Sequence, residues 1–128
     1  MRSTFFQKPL QYQIEIDGEN WDQGEKIKGK LTVRNMSSET VFVNVSQVIL
    51  AYGLKKNVKE GNESPWEVLE KQVLTNEISL PQVGEISYEW TFQLATDCPI
   101  TDKQGGLYLL FGGENTLSKG GRLDLPIK

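Results

Sequence analysis

Apolar residues recur at every second position along most of this chain, the period of strands that bury one face. Leu10, Tyr12, Ile14 and Ile16 alternate with Gln11, Gln13 and Glu15 as far as a turn at Asp17-Gly18. Ile27, Gly29, Leu31 and Val33 alternate with Lys26, Lys28, Lys30 and Thr32, and Asn35 to Ser38 ends that run. Val41, Val43 and Val45 keep one phase, whereas Val48, Leu50, Tyr52 and Leu54 keep the other. The slip near Ser46-Gln47 predicts either a β-bulge or a strand that changes sheets. Ile86, Tyr88, Trp90, Phe92 and Leu94 place five large apolar residues on one face, which predicts a main core strand. Leu107 to Phe111 is a continuous apolar run, the pattern of a strand buried on both faces. Leu123, Leu125 and Ile127 alternate before Lys128.

Between these runs, Lys55 to Ser64 reads as a polar loop and Asp97 to Gln104 as a loop around Pro99. Glycine pairs beginning at Gly105, Gly112 and Gly120 read as turns or bulges. The segment 67–80 is ambiguous on local signals. Ser64-Pro65-Trp66-Glu67 has the form of a helix start, and Trp66, Leu69 and Val73 have helical spacing. Val68, Leu74, Ile78 and Leu80 instead share a period-two phase. About seven short antiparallel strands separated by turns predict an all-β, immunoglobulin-like sandwich, with no internal repeat and one domain over 1–128.

Composition narrows the chemistry. The chain has 128 residues, enough for a real core, and a formal net charge of −3, which does not favour nucleic acid as a partner. It has no His and one Cys. The commonest general base and zinc ligand are therefore missing, as is any disulfide within the chain. Cys98, between Asp97 and Pro99 with no His in the chain and no nearby Lys or Arg before Lys103, reads as inert. No apolar run is long enough to span a bilayer, and residues 1–9 lack the hydrophobic core of a secretion signal. These features predict a cytoplasmic, non-enzymatic protein without a cofactor, whose contact with a membrane is at most peripheral.

Gly24, Gly29 and Lys30 stand at the spacing of a phosphate-binding loop. That loop needs Ser or Thr after the Lys to hold magnesium, and a helix N-terminus to hold the phosphates. Here Leu31 follows, and the alternation continues to Val33. The segment from Leu110 through Ser118-Lys119-Gly120 is a second near miss, because Ser118 replaces a required Gly and no helical pattern follows. Strand periodicity explains both spacings better.

Two blocks carry a family resemblance. One is Gly24-Glu25-x-Ile27-Lys28-Gly29-Lys30-Leu31-x-Val33. The other is Leu80-Pro81-x-Val83-Gly84-Glu85-x-Ser87-x-Glu89-Trp90-x-Phe92-x-Leu94, continuing to Pro99-Ile100-Thr101 and Leu107-Tyr108-Leu109. From Leu10 to Leu110 the chain resembles the N-terminal domain of the arrestin-like superfamily. It is most similar there to bacterial sporulation-control proteins and less so to arrestin-related and retromer-subunit proteins. The resemblance implies an arrestin-like β-sandwich, makes 67–80 a strand, and implies an adaptor, scaffold or regulatory role in binding proteins, without catalysis. The chain departs from the family in three ways: one sandwich instead of two, Gly112-Gly113-Glu114-Asn115 in place of an acidic block, and no recognisable polar core of the visual-arrestin kind. No partner-binding residue carries over.

Lys26, Lys28, Lys30 and Arg34 share one strand face. They read as a face for an anionic partner, such as a phosphorylated segment or lipid headgroup, or as a solvated face neutralised by Glu85, Glu89 and Glu15 on neighbouring strands. The solvated reading is preferred. Asp17, Glu19, Asp22 and Glu25 crowd one loop, which raises calcium binding and, with it, a calcium-dependent adhesion module at a cell surface as the alternative function. Trp21 in that loop reads either as a staple covering one end of the core, which is preferred, or as an exposed contact residue. Asn35-Met36-Ser37, Asn44-Val45-Ser46 and Asn62-Glu63-Ser64 fit the glycosylation triplet, but are taken as coincidental without a secretion signal. Lys55, Lys56 and Lys59 form a weak basic cluster diluted by Glu60 and Glu63. The resemblance implies that a single sandwich leaves unpaired the strands that a second domain covers in the family, which predicts protein contact through a sheet edge or face, including homodimerisation through that edge or domain swapping.

Overall fold

Two four-stranded antiparallel sheets face each other in a computed structural model that describes residues 1–59 and 66–128. The elements are β1 (Arg2–Gln7), β2 (Leu10–Ile16), β3 (Lys26–Asn35), β4 (Val41–Leu54), α1 (Lys55–Lys59), β5 (Glu67–Leu80), β6 (Glu85–Gln93), β7 (Gly105–Gly112), α2 (Thr116–Lys119) and β8 (Gly121–Leu125). One sheet has the order β1-β2-β3-β6 and the other β5-β4-β7-β8. The all-β sandwich is as expected. It gains a strand at the N-terminus that periodicity did not mark, because only Phe5 of β1 turns towards the core while Phe6 is exposed.

Inward positions meet between the sheets. Tyr12, Ile14, Leu31, Val33, Trp90 and Phe92 come from one sheet, and Val48, Leu50, Leu107, Leu109, Phe111 and Leu125 from the other. Gly29 is opposite Trp90, and a Cβ there would stand 2.8 Å from Trp90 Cη2, so the missing side chain is space that the indole fills. Asn35 is buried and ties β3 to the turn after β5. Its Nδ2 donates to the carbonyls of Leu80 and Pro81, both at 3.0 Å, and its Oδ1 accepts from the Ser37 amide at 2.9 Å.

The phase slip in β4 coincides with a register shift against β5 between Ser46 and Gln47. A second shift lies between Leu50 and Ala51. The strand stays in one sheet throughout, so the slip is a local irregularity of the pairing, with Leu74 of β5 as its extra residue, and not a change of sheet. One local expectation is corrected. Lys55–Lys59 is a short helix where a polar loop was expected, anchored by the Lys55 amide to the Gln104 carbonyl at 2.8 Å and by Val58 packing on the second sheet. Thr116–Lys119 is also helical, with Asn115 at its N-cap in the left-handed region (φ 61°), a conformation Asn tolerates. The helix-start pattern at Ser64-Pro65 lies outside the described residues, and Glu67 already belongs to β5.

Candidate interaction surface

Lys26, Lys28, Lys30 and Arg34 are all exposed on the outer face of β3. The register sets Lys30 between Glu15 of β2 and Glu89 of β6, and Arg34 opposite Glu85. Thr32 and Ser87 join hydroxyls at 2.9 Å between these pairs. Lys26 and Lys28 face Gln93 and Thr91 instead. Glu15, Asp17 and Glu89 also line the depression, of about 330 Å³, that holds Lys28 and Lys30. Acids therefore alternate with bases across the face.

The β2–β3 loop is fastened to the end of the sandwich. Trp21 is buried, its amide donates to the Pro126 carbonyl at 3.1 Å, and its carbonyl accepts from the Lys128 amide at 2.8 Å. The staple reading of Trp21 fits this placement. Among the described residues, no three His, Cys, Asp or Glu side chains converge, those of the Asp17 to Glu25 loop included. Asn35 has no free amide to carry a glycan, since its side chain is committed as above; Asn44 is exposed and bonds Glu114, and the triplet at Asn62 lies outside the described residues. Lys55 and Lys56 are exposed on α1.

The two open sides of the sandwich differ. Where β1 approaches β8, Phe5 meets Phe111 edge-on at 6.4 Å, Ser3 Oγ donates to the Arg122 carbonyl at 3.3 Å, and Leu123 packs on the core. The approach is close enough that a Cβ on Gly121 would stand 2.7 Å from Phe5 Cβ. Where β5 faces β6, the side chain of Gln72 reaches across to the Thr91 carbonyl. Beyond it opens a cleft of about 330 Å³. Its apolar walls are Leu50, Leu69, Leu94, Ala95, Cys98 and Pro99. Its polar rim is Glu70, Gln93 and Asp97. Val68, Leu69 and Val73 are exposed along β5, an edge strand.

Cys98 is 6 % exposed, and its carbonyl accepts from Gln23 Nε2. Burial pushes its thiol up and the charge of Asp97 adds to the effect, so the thiolate is disfavoured. The residue serves the cleft as a small apolar wall.

A second apolar cluster lies on the outer face of the second sheet. Ile49, Ala51, Tyr108 and Leu110 are buried there beneath Val58 and Trp66. The Trp66 ring rests on Gly53, where a Cβ would stand 2.8 Å from Cε3. It meets Tyr108 edge-on at 5.2 Å, and the Arg122 guanidinium lies 5.8 Å from its centroid. Sequence reasoning predicted a β7 buried on both faces but not what covers it. It also missed the cleft, whose walls come from three separate segments.

No family model matches this chain, and no curated protein does. Solved structures do. The sporulation control protein Spo0M from Bacillus subtilis superposes with a TM-score of 0.69 at 13% identity, over 94% of this chain and 49% of that one. A β-glucosidase from Listeria innocua, in complex with gluconolactone, gives 0.54 at 12% identity over 91% of this chain and 16% of that one. The alkylpurine DNA glycosylase AlkC from Pseudomonas fluorescens, bound to DNA containing an abasic site analog, gives 0.53 at 11% identity over 94% and 30%. This chain spans about half the length of Spo0M. At such identities the likeness is one of fold, and the sandwich recurs in regulatory and enzymatic proteins alike.

Proposed function

We propose that this chain is a non-catalytic protein-interaction module of arrestin-like type, acting as an adaptor or regulator in the cytoplasm. The observation that carries this reading is the unequal closure of the sandwich: one side is sealed by Phe5 and Leu123, while the other keeps an apolar cleft beside exposed Val68, Leu69 and Val73. Edge strands offer unpaired backbone groups, and exposed apolar side chains beside such an edge suit a protein partner. The absence of His from the sequence and the raised Cys98 thiol agree with a role that needs no nucleophile. The likeness to a sporulation control protein supports a regulatory setting.

The partner is either another protein or a second copy of this chain. Affinity purification from the native cell with the wild-type chain and with a Leu69→Glu/Val73→Glu variant tests the reading, alongside light scattering of both. We expect a bound protein, or a dimer, that the variant loses. Equal retention by the two chains, with no dimer in either, would remove the β5 edge as the interaction surface.

A further inference from the structure

We infer that the cleft between β5 and β6 seats one large apolar side chain carried on an extended, basic segment of a partner protein. This rests on the interaction-module reading and says which chemistry the module recognises.

Three observations lead there. The cleft holds about 330 Å³, at the small end of ligand pockets, which run roughly 300–1,000 Å³. That suits a side chain or two better than a whole cofactor. Its floor is core: Leu50 and Leu94 are almost fully buried, and with Cys98 and Pro99 they offer an anchor a dry surface without a hydrogen-bonding demand. Both flanking strands, β5 and β6, end their sheets, so an extended backbone beside the cleft can pair with one of them while its side chain points inward.

The rim decides the flanking chemistry. Glu70 from β5 and Asp97 from the loop after β6 are the charged residues lining the cleft, and both are exposed. Among the described residues, no Lys or Arg lines it. An acidic rim around an apolar hole selects Lys or Arg on either side of the anchor and repels acidic segments, acting more on specificity than on affinity.

The test is selection of random linear peptides displayed on phage against the full chain. Enriched peptides are then synthesised with a fluorescent label and titrated against the wild-type chain, Ala95→Trp and Glu70→Lys/Asp97→Lys. Ala95 is exposed on the cleft wall and the two acids are exposed on its rim, so neither variant touches the core. We expect peptides with one large apolar residue flanked by Lys or Arg. Filling the cleft with Trp should weaken them by ~10-fold or more, as loss of an anchor does. Charge reversal should weaken them by ~5-fold at low salt and less at high salt. Peptides that are acidic or lack an apolar anchor would overturn the inference, as would failure to enrich any. Peptides that bind all three chains equally would also overturn it, while leaving the interaction-module reading standing on another surface.

Discussion

The two outer faces of this sandwich are solved in opposite ways. On the first sheet, β3 sends Lys26, Lys28, Lys30 and Arg34 into water among Glu15, Glu85 and Glu89. On the second, β4 and β7 turn Ile49, Ala51, Tyr108 and Leu110 outward and the chain covers them itself, with Val58 and Trp66. An antiparallel sheet can wet one face only if that face is polar. The alternating β3 and the unbroken Leu107–Phe111 run therefore demand different surroundings, and the connection between β4 and β5 supplies the second. The lesson is that a continuous apolar strand in a sandwich announces a cover elsewhere in the chain.

This contrast can be broken by substitution. If the outer cluster is a true core, Leu110→Ala should cost about 2–5 kcal/mol in urea unfolding, the same range as its inward neighbour Leu109→Ala. A loss below ~1 kcal/mol for Leu110→Ala alone would make the cover superficial. Trp66→Ala should cost about 2–4 kcal/mol, somewhat less than a fully buried tryptophan, and should raise binding of a hydrophobic dye by uncovering Ile49 and Leu110.

The alkaline limb tests both layers. Burial pushes up the phenols of Tyr12 in the inner core and Tyr108 in the outer cluster. For Tyr108 the Asp124 charge adds to the rise and Arg122 opposes it. Each hydroxyl is held neutral, so its contribution is fully present below the ordinary tyrosine value of about 10 and is lost as pH rises through the folded value. Thermal unfolding followed from pH 9 upward should show a falling midpoint, and Tyr108→Phe should flatten that fall; an unchanged slope would detach Tyr108 from the effect. On the charged face, Lys30→Ala should stay within ~0.5 kcal/mol, because exposed pairs contribute little. A larger change in the same urea assay would mean that the acid–base rows hold the sheet together.

Legibility in the sequence followed regularity. β2, β3 and β6 were readable because each buries one clean face. The segment 67–80 stayed ambiguous for a physical reason. Register shifts leave Leu69 and Leu74 without partners on β4, and Leu69 lines the cleft beside Glu70, so strict alternation fails at that end of the strand. β1 is a strand by pairing with β2 more than by its own pattern. The basic stripe was readable as a face, and Glu15, Glu85 and Glu89 were named as its neighbours, because strand order follows from the sandwich. The cleft was not. Leu50, Leu69 and Leu94 looked like ordinary apolar positions, and only the meeting of β4, β5 and the segment after β6 makes them its walls.

The fastening of Trp21 to the segment at Ile127 has a consequence for the order of assembly. Trp21 and Ile127 form a parallel bridge, and the Thr101 amide donates to the Ile127 carbonyl at 2.9 Å. A contact between such distant points carries a high closure entropy and forms late. During synthesis, β2 and β3 leave the ribosome long before their loop finds its latch, so that end of the sandwich stays unfastened until nearly the whole of this stretch has emerged.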